Sequence, residues 1–270
     1  MNKPLAAVTG ASAGIGSVFA RKLAARGYDL LLVARRQDRL QQLAAELESG
    51  HAIHVEICEA DLSEPDAMDR VAARLAAEPR LDLLVNNAGF GTKGRFYEAP
   101  LEDQLRMHRL HIGAILRLTH AALGPMVVRG RGAIINVASV AGFTRSPGSV
   151  SYCATKAWVN AFTEGLYLDL QNARSPVVVQ ALCPGFTYSE FHDVVGIDRA
   201  SVPKTLWMTA EDVVDASLAG LRRRELFVVP GWKYKLIVGL ANRIPLRLRL
   251  ALESAAPHNR AKLPEQRDPA

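Results

Sequence analysis

Short apolar runs alternate with amphipathic stretches along most of this chain. The apolar runs predict seven strands, at Ala6–Thr9, Asp29–Ala34, His51–Cys58, Leu81–Val85, Gly132–Val137, Val177–Leu182 and Glu225–Val229. Apolar residues three and four positions apart predict helices between them, at 18–27, Gln37–Ser49, Pro65–Ala77, Glu102–Met126, Tyr152–Gln171 and Thr209–Leu221. We expect Ser63 to cap the third helix, with Asp66 three residues later. The alternation predicts an α/β fold, a doubly wound parallel sheet of about seven strands with helices on both faces.

The chain is predicted to form one domain. Its 270 residues suffice for one large core or two small ones, and no Pro-, Gly- or Ser-rich linker divides them. We assign residues 1–230 to this domain and 255–270 to a frayed polar tail. Residues 231–254 form a basic amphipathic extension that packs on the domain, on a partner subunit or on a membrane.

Composition narrows the class of protein. The chain is 49% apolar, and no uninterrupted apolar run reaches the roughly 18 residues of a membrane span. Residues 1–4 lead directly into the first strand, without the pattern of a signal peptide. Three scattered cysteines without a CxxC pair indicate a reducing compartment and no zinc site. We therefore expect a cytoplasmic globular protein that holds no metal.

A glycine-rich turn joins the first strand to the first helix. The sequence GASAGIG occupies Gly10–Gly16, where the backbone turns into the helix. Backbone N–H groups at the start of such a helix bind phosphates, because the helix dipole favours anions there. Strand, glycine turn and helix in this order predict a Rossmann-type dinucleotide site. The residues of this predicted site are Gly10, Ser12, Ala13, Gly14, Ile15 and Gly16.

Two arginines follow the second strand, where a dinucleotide fold contacts the adenosine ribose. Ala34 ends that strand and Arg35 and Arg36 come next, so no carboxylate stands there to accept from a 2′-hydroxyl or to repel a 2′-phosphate. Two guanidiniums can pair with a phosphate instead. The pattern predicts NADP(H) rather than NAD(H). The alternative is that both arginines are solvated charges at the start of the next helix.

Ser139, Tyr152 and Lys156 are the candidate catalytic group. Tyr152 and Lys156 are four residues apart and therefore share one face of the predicted helix. An ammonium held there would lower the pKa of the phenol from about 10, so that the phenol can exchange a proton with a carbonyl or an alcohol. Ser139 follows the fifth strand and would add a hydrogen bond to the same oxygen.

Together these motifs resemble the short-chain dehydrogenase/reductase (SDR) family over residues 5–230. The matching pieces, in the order and spacing of the family, are Thr9–Gly16 (TGASAGIG), Asp61-Leu62, Asn86–Gly89 (NNAG), Ser139, Tyr152/Lys156 (YCATK) and Pro184-Gly185. The resemblance implies hydride exchange between a nicotinamide cofactor and a carbonyl/alcohol pair, with Tyr152 as general acid/base. It also implies that Lys156 holds the nicotinamide ribose and that Ser139 orients the substrate oxygen.

The resemblance implies further cofactor contacts and shows one departure. The implied contacts are Asp61, Leu62, Asn87, Ala88, Gly89, Pro184, Gly185, Thr187 and Ser189, the last standing where the family usually has threonine. His111 replaces the asparagine that holds a relay water in the family. Imidazole titrates near neutrality. Two hypotheses follow: His111 joins the proton relay and adds an ionisation to the pH–rate profile, or it only packs.

The segment Ser189–Trp207, after the sixth strand, is expected to select the substrate. Its apolar members are Phe191, Val194, Val195, Ile197 and Trp207. We expect Phe143 and residues 95–97 to complete a pocket for an apolar ketone or alcohol. The first interpretation is an NADP(H)-dependent reductase of such a small molecule. Two alternatives stay open: a 3-oxoacyl or other lipid-ketone reductase, and a non-catalytic NADP-binding regulator.

The net charge of +6 is unevenly distributed. Basic residues gather at Arg222–Arg224 and along the extension, where they alternate with apolar and aromatic side chains. No nucleic-acid-binding motif accompanies them, so we expect no nucleic-acid partner. Such a segment either lies on an anionic membrane surface or packs on protein with its cations turned outward. The family resemblance further implies a homodimer or homotetramer.

Overall fold

A parallel sheet of seven strands forms the centre of the protein in a computed structural model that describes residues 3–92, 94–191, 199–241 and 243–255. The strands are β1 (Leu5–Thr9), β2 (Asp29–Ala34), β3 (Val55–Glu59), β4 (Leu81–Asn86), β5 (Ala133–Val137), β6 (Val178–Leu182) and β7 (Phe227–Val228). Their order across the sheet is β3-β2-β1-β4-β5-β6-β7. The chain therefore reverses its direction of winding between β1 and β4, and a doubly wound sheet opens a ligand crevice at that point.

Helices cover both faces of the sheet, which confirms the predicted α/β fold. They are α1 (Gly14–Ala24), α2 (Gln37–Gly50), α3 (Pro65–Ala76), α4 (Leu101–His108), α5 (Ile115–Arg129), α6 (Val150–Asn172), α7 (Ala210–Arg222), α8 (Trp232–Ala241) and α9 (Leu246–Ala255). Phe19, Leu40 and Val213 pack on one face of the sheet, under α1, α2 and α7. Val71 and Leu118 pack on the other, under α3 and α5. Strands buried from both sides read as continuous apolar runs, which explains why the sequence pattern located them.

The predicted helix Glu102–Met126 is in fact two helices joined by a π-helical turn. The turn spans Arg109–Ala114 between α4 and α5. Such turns insert an extra residue into a helix and are frequent at functional sites. His111 lies in the turn and is fully buried.

The predicted cap of α3 is wrong. Glu64 occupies the capping position, without a side-chain hydrogen bond to the helix. The Ser63 hydroxyl instead donates to the Asp61 carboxylate at 2.6 Å. A charged acceptor two residues away binds the hydroxyl more strongly than a backbone N–H would.

The combined helical stretch Leu101–Arg129 is long and apolar enough to cross a membrane by length and composition. It meets this criterion through its mean hydropathy, although the sequence has no uninterrupted apolar run of that length. Leu118, Ala122 and Met126 are buried in the core below the sheet. Core helices of globular domains pass the same test, so this helix is weak evidence for a membrane span.

The extension 231–254 contains α8 and most of α9. Tyr234 and Val238 of α8 are buried in an apolar cluster with residues of β6 and α6. One face of this helix therefore packs on the domain, which was one of the three locations considered for it. The sequence predicted a frayed tail over 255–270. Ala255 is instead the last residue of α9, and residues 256–270 lie outside the described residues.

Candidate active site

A cleft of about 470 Å³ opens at the carboxyl ends of the central strands. Its walls include the glycine turn after β1, the arginines after β2, and Ser139, Tyr152 and Lys156 after β5. The sheet topology brings these segments together, because parallel strands all end at the same edge. The predicted cofactor and catalytic residues therefore line one continuous space, except Gly16 and His111, which lie behind its wall.

The glycine turn leaves no room for a side chain at Gly10 or Gly16. Gly10 has φ +65, a left-handed conformation that favours glycine. A Cβ on Gly16 would lie 2.3 Å from the Gly10 carbonyl oxygen, so α1 can begin this close to β1 only with glycine there. No described side chain caps the start of α1, which has no acidic residue in its first turn. The backbone N–H groups there are available for an anion from the cleft.

Asn87 and Thr9 tie the end of β4 to the glycine turn. The Thr9 hydroxyl accepts from the backbone N–H groups of Asn87 and Ala88 at 2.9 and 3.0 Å. The Asn87 side chain donates back to the carbonyl oxygens of Thr9 and Gly10 at 2.9 and 3.3 Å. Asn87, predicted as a cofactor contact, is thus also the residue that fixes the turn.

Asp61 lies in the cleft wall after β3, and both oxygens of its carboxylate accept hydrogen bonds. It accepts from the backbone and hydroxyl of Ser63 and from Arg106, whose guanidinium is 2.7 Å away. Burial raises the pKa of Asp61, but these hydrogen bonds outweigh it and lower the pKa to about 2. The neighbouring Leu62 is buried. The carboxylate is therefore ionised at any physiological pH and shapes the wall through Ser63 and Arg106.

The residues Ser12, Arg35, Arg36, Arg39 and Glu190 form what we call the arginine cluster. Arg36 donates to the Ser12 hydroxyl at 3.2 and 3.0 Å and to Glu190 at 2.8 Å. Arg39 donates to the other oxygen of Glu190 at 2.5 Å. Arg35 is turned toward Asp61, 3.6 Å from its carboxylate. Of the two arginines predicted to pair with a phosphate, Arg36 thus contacts the glycine turn and Arg35 does not.

These features fit a phosphorylated dinucleotide. The uncapped start of α1 suits a pyrophosphate, and the close-packed glycines let its backbone approach. The guanidinium of Arg36, which contacts Ser12, and that of Arg39, which shares Glu190 with it, suit a 2′-phosphate. The Glu190 carboxylate is unfavourable, since it already occupies the guanidiniums that such a phosphate would use.

The residues Ser139, Tyr152, Lys156 and His111 form what we call the catalytic cluster. The Ser139 hydroxyl accepts from the Ala141 N–H at 3.1 Å and donates to the Pro184 carbonyl at 3.4 Å, and it is close enough to the Tyr152 phenol to favour the phenolate. The Lys156 ammonium donates to the Val137 carbonyl at 2.8 Å and lies 5.8 Å from the centre of the Tyr152 ring. The helix spacing predicted this proximity, because Tyr152 and Lys156 are one turn apart on α6.

The predicted fall in the Tyr152 pKa is wrong for this arrangement. Burial raises the pKa of Tyr152 to about 12, and the hydrogen bond with Ser139 offsets only part of that rise. Burial also lowers the pKa of Lys156 to about 8. The ammonium's hydrogen bond goes to Val137, so the charge does less for the phenolate than burial does against it. Tyr152 is therefore a protonated phenol at neutral pH.

His111 has both ring nitrogens engaged. Its Nε2 accepts from the Phe90 N–H at 3.2 Å, so the proton of the neutral ring is on Nδ1, which lies 2.9 Å from the Thr155 hydroxyl. Burial and, next, the nearby Lys156 charge hold the pKa of His111 well below 6.5. The expectation that His111 titrates near neutrality is therefore wrong. Its ring stands edge-on to Tyr152, 5.9 Å between centres, which favours the packing hypothesis.

The Pro184-Gly185 segment reaches the cleft in contact with α8. A Cβ on Gly185 would lie 2.1 Å from the Tyr234 ring, so this residue has to be glycine for α8 to pack. Thr187 is buried, and its hydroxyl donates to the Gly185 carbonyl at 3.0 Å. Ser189 donates to the Thr187 carbonyl at 3.4 Å. All four predicted cofactor contacts of this segment line the cleft.

The residues predicted to line the substrate end of the cleft, within Ser189–Trp207, are found there only in part. Phe191 lies against Tyr152, with 5.7 Å between ring centres. Trp207 stacks on Tyr188 at 4.9 Å, outside the lining. Val194, Val195 and Ile197 lie outside the described residues.

Phe143 and residues 95–97 are not among the described residues that line the cleft, which corrects the prediction. Phe143 packs on Phe227 instead, and Tyr97 is 77% exposed. Several residues line the cleft although no motif in the sequence predicted them, namely Phe90, Leu110, Val140, Ser146, Ser149, Cys153 and Phe186. Phe90 directly follows the NNAG motif, a signal that could have identified it.

Among the described residues, no group of three or more His, Cys, Asp or Glu side chains could hold a metal ion. All three cysteines are free. Burial raises the pKa of the Cys153 thiol, which lines the cleft beside Tyr152.

Comparison with known proteins places this architecture among dehydrogenases. A family model described as short chain dehydrogenase matches residues 4–199. Nodulation protein G of Rhizobium sp. (strain N33) is 34% identical over 242 residues, which cover 87% of this chain and 96% of that protein.

Solved structures resemble the fold over nearly its whole length. A short-chain dehydrogenase from Sphingobium yanoikuyae in complex with NADPH has a TM-score of 0.81 and 36% identity, covering 97% of this chain and 99% of that one. The bulky-bulky ketone specific alcohol dehydrogenase from Comamonas testosteroni has a TM-score of 0.79 and 31% identity, covering both chains completely.

Proposed function

Because this chain belongs to the short-chain dehydrogenase family, we propose that it is an NADP(H)-dependent oxidoreductase that reduces an apolar ketone or aldehyde to the alcohol. The observation that carries the proposal is the catalytic cluster, in which the half-buried Tyr152 side chain lies beside Ser139 and Lys156 at the wall of the cleft. The same cleft holds the uncapped start of α1. Family membership makes the protein an oxidoreductase, while the cofactor, substrate and direction are proposals.

The protonation state of Tyr152 supports the direction of reduction. A phenol with a pKa of about 12 keeps its proton at neutral pH and can donate it to a developing alkoxide. Ser139 would position the carbonyl oxygen next to that phenol through its hydroxyl. When bound, the nicotinamide supplies the hydride. Lys156 would stabilise the phenolate left after the proton transfer, because its charge lies next to the ring.

The arginine cluster supports NADP(H). Arg36 and Arg39 both reach the same carboxylate, which shows that two guanidiniums can converge on one anionic group beside Ser12. A 2′-phosphate would be such a group. The Sphingobium neighbour, with the same fold, is a complex with NADPH.

An apolar substrate is supported by the wall of the cleft near Tyr152. Phe90, Leu110, Val140, Phe186 and Phe191 line it. The Comamonas neighbour is specific for bulky-bulky ketones, and we propose that this chain also takes a ketone with two large substituents. A 3-oxoacyl or other lipid ketone is the second candidate, which the same apolar wall would accept. The intact catalytic cluster disfavours a regulator without turnover, because binding alone needs no proton donor.

We also propose a cytoplasmic homodimer or homotetramer. Leu116 of α5 and Leu168 of α6 are exposed apolar residues, 48% and 60% respectively. Large exposed side chains on neighbouring helices suit contact with a second subunit. Light scattering on the purified chain measures the mass directly.

Oxidation of NADPH in the presence of a panel of ketones tests the proposed function. We expect turnover with ketones that carry two bulky groups, a lower KM for NADPH than for NADH, and a loss of kcat of at least about a thousandfold in Tyr152→Phe. NADPH binding should survive in that variant. Tight NADPH binding by the wild-type enzyme without turnover on any ketone would instead support the regulator.

A further inference from the structure

Helix α8 is apolar on two opposite faces. Tyr234 and Val238, one turn apart, are buried against the domain. Trp232, Leu236 and Leu240, also one turn apart, are 72%, 56% and 51% exposed. With about 100° per residue, these three fall on the side opposite Tyr234 and Val238. We call them the outer stripe.

A helix at a protein surface normally turns polar residues to water. The outer stripe does the opposite, and it includes an aromatic residue at its first position. Ile237 extends the apolar surface and is 41% exposed. This face is therefore built to contact something less polar than water.

Cations border the outer stripe on both sides. On the helical wheel, Lys233 and Lys235 lie to either side of the line through Trp232, Leu236 and Leu240. Long basic side chains in such positions can lay their methylenes along an apolar surface and extend their charges outward. Basic residues continue beyond α8, at Arg243 before α9 and at Arg247 and Arg249 within it.

Acidic residues are nearly absent from this region of the sequence. Glu253 is the one acidic residue between 231 and 255, against five basic ones. Its carboxylate accepts from the Arg145 backbone N–H at 3.0 Å. The surface around the outer stripe therefore carries a clear excess of positive charge.

This excess of positive charge distinguishes between two binding partners for the outer stripe, a second copy of the chain and a lipid bilayer. A second copy of the chain docked through the same helix would bring lysines against lysines, with a single carboxylate nearby to compensate. A bilayer with anionic lipid offers an apolar layer for Trp232 and the leucines and negative headgroups for the flanking cations. We propose that the outer stripe and its flanking cations bind the surface of an anionic lipid bilayer.

Helix α8 connects this surface to the substrate end of the cleft. The Tyr234 hydroxyl accepts from the Phe186 N–H at 3.0 Å and donates to the Leu206 carbonyl at 2.8 Å. Lys233 donates to the Thr205 carbonyl at 3.2 Å. A bilayer-bound enzyme would take its apolar ketone from the lipid phase. This last step rests on the proposed function, whereas lipid binding itself is measured without catalysis.

Vesicle cosedimentation of the full-length protein tests the proposal. The vesicles contain phosphatidylcholine, with or without phosphatidylglycerol. We expect binding to the phosphatidylglycerol vesicles, weakened by salt, and at least about tenfold weaker partitioning into phosphatidylcholine alone. Leu236→Gln/Leu240→Gln should lower partitioning into the anionic vesicles by about tenfold or more, since two exposed leucines lose their apolar contact.

A matched control lies on helix α4. Leu101 and Leu105 are four residues apart and are 66% and 45% exposed, but they stand beside Glu102 and Asp103. Leu101→Gln/Leu105→Gln should bind vesicles like the wild type. All four substituted leucines are exposed, so circular dichroism and melting temperature should not change in either variant.

Two outcomes overturn the proposal. One is wild-type protein that does not bind anionic vesicles, or that binds no better than the stripe variant. The other is an oligomer that ignores lipid and falls apart in Leu236→Gln/Leu240→Gln, as measured by light scattering; the stripe would then contact a second copy.

The fluorescence of Trp232 gives an independent readout on the unaltered protein. Its emission should shift to the blue when anionic vesicles are added, because the exposed indole enters a less polar layer. Trp232→Phe should lack this shift, since Trp158 and Trp207 are partly buried in the domain. A shift that persists in Trp232→Phe contradicts contact through this face.

Discussion

The arginine cluster and the catalytic cluster border one cleft, but they differ in solvent exposure. The charged groups of the arginine cluster are exposed, whereas Lys156 and His111 of the catalytic cluster are buried. The side chains of Arg36, Arg39 and Glu190 are 41%, 42% and 48% exposed and neutralise one another. Lys156 is 5% exposed and His111 fully buried, and the pKa of each is lowered by burial. Exposed ion pairs are weak and can be exchanged for a ligand's charge. Buried charges are costly, so a change there alters the chemistry itself.

Adjacent residues connect the two clusters. Glu190 pairs with Arg36 and Arg39, and the next residue, Phe191, lies on the Tyr152 ring. One short stretch of chain thus contacts both the predicted phosphate site and the proposed proton donor. Because exposed ion pairs exchange easily, cofactor affinity should be adjustable at Glu190, provided that Phe191 keeps its place on the Tyr152 ring.

The largest effect is expected from removing the buried charge. Lys156→Met should lower kcat for ketone reduction by on the order of a hundredfold, because the phenolate loses its stabilising neighbour. In the wild type, kcat/KM should fall as the pH rises through about 8, where Lys156 loses its proton. The variant should lack this limb, as pH–rate profiles of both enzymes will show.

Lys22→Met is the control for that substitution, since Lys22 pairs with Asp215 on the surface. It should keep the wild-type profile. A Lys156→Met enzyme that retains the alkaline limb would assign the limb to another group and weaken the comparison.

A smaller effect, a gain in cofactor affinity instead of a loss of activity, is expected from a substitution in the exposed arginine cluster. Glu190→Gln should tighten NADPH binding by about three- to tenfold at low salt, because Arg36 and Arg39 lose the carboxylate that competes with a 2′-phosphate. Affinity for NADH should not change. Fluorescence titration with both cofactors, at low and high salt, measures the difference.

Glu46→Gln serves as the control, since Glu46 forms an exposed ion pair with Arg21 away from the cleft. It should bind both cofactors like the wild type. Weaker NADPH binding in Glu190→Gln would mean that the carboxylate orients the guanidiniums for the phosphate. It would contradict the proposal that Glu190 competes with the phosphate for them.

The smallest effect on the shape of the pH–rate profile is expected at His111. Its neutral ring should add no ionisation between about pH 6 and 7, so the His111→Asn profile should match the wild type there. Stability should respond instead. The pKa of His111 is lowered in the folded protein, so below about pH 6.5 the unfolded chain binds the extra proton and wild-type stability falls with pH.

Urea unfolding at neutral and mildly acidic pH measures how much His111 contributes to this pH dependence of stability. The drop in unfolding free energy should be smaller in His111→Asn than in the wild type. An acidic limb that disappears from the pH–rate profile of His111→Asn would restore the relay hypothesis.

Local sequence signals predicted the strands and the glycine turn. Asp29–Ala34 was predicted at its observed bounds, because a strand buried on both faces is a continuous apolar run. Gly10, Gly14 and Gly16 stand out because their conformation and close contacts exclude other residues. The relation of Tyr152 to Lys156 follows from helix geometry alone.

Features set by distant residues or by burial could not be predicted in this way. Glu190 meets Arg36 across 154 positions of sequence, and no periodicity links them. The raised pKa of Tyr152 depends on how deeply the fold buries the phenol, which spacing does not report. The π-helical turn left no signal either, since apolar residues continue through it.

The π-helical turn also limits how this sequence can change in length. It accommodates one residue more than an α-helical turn, so deleting a single residue from Arg109–Ala114 would let α4 and α5 join as one α-helix. Because the π-helical turn absorbs its extra residue within a single turn, the side chains of α4 would keep nearly the same orientation relative to α5. Gln104 and Met107 would stay in the core, and the change would fall on the turn itself. The turn holds His111 between the Phe90 N–H and the Thr155 hydroxyl with its ring edge-on to Tyr152, so the deletion would move this side chain out of the catalytic cluster.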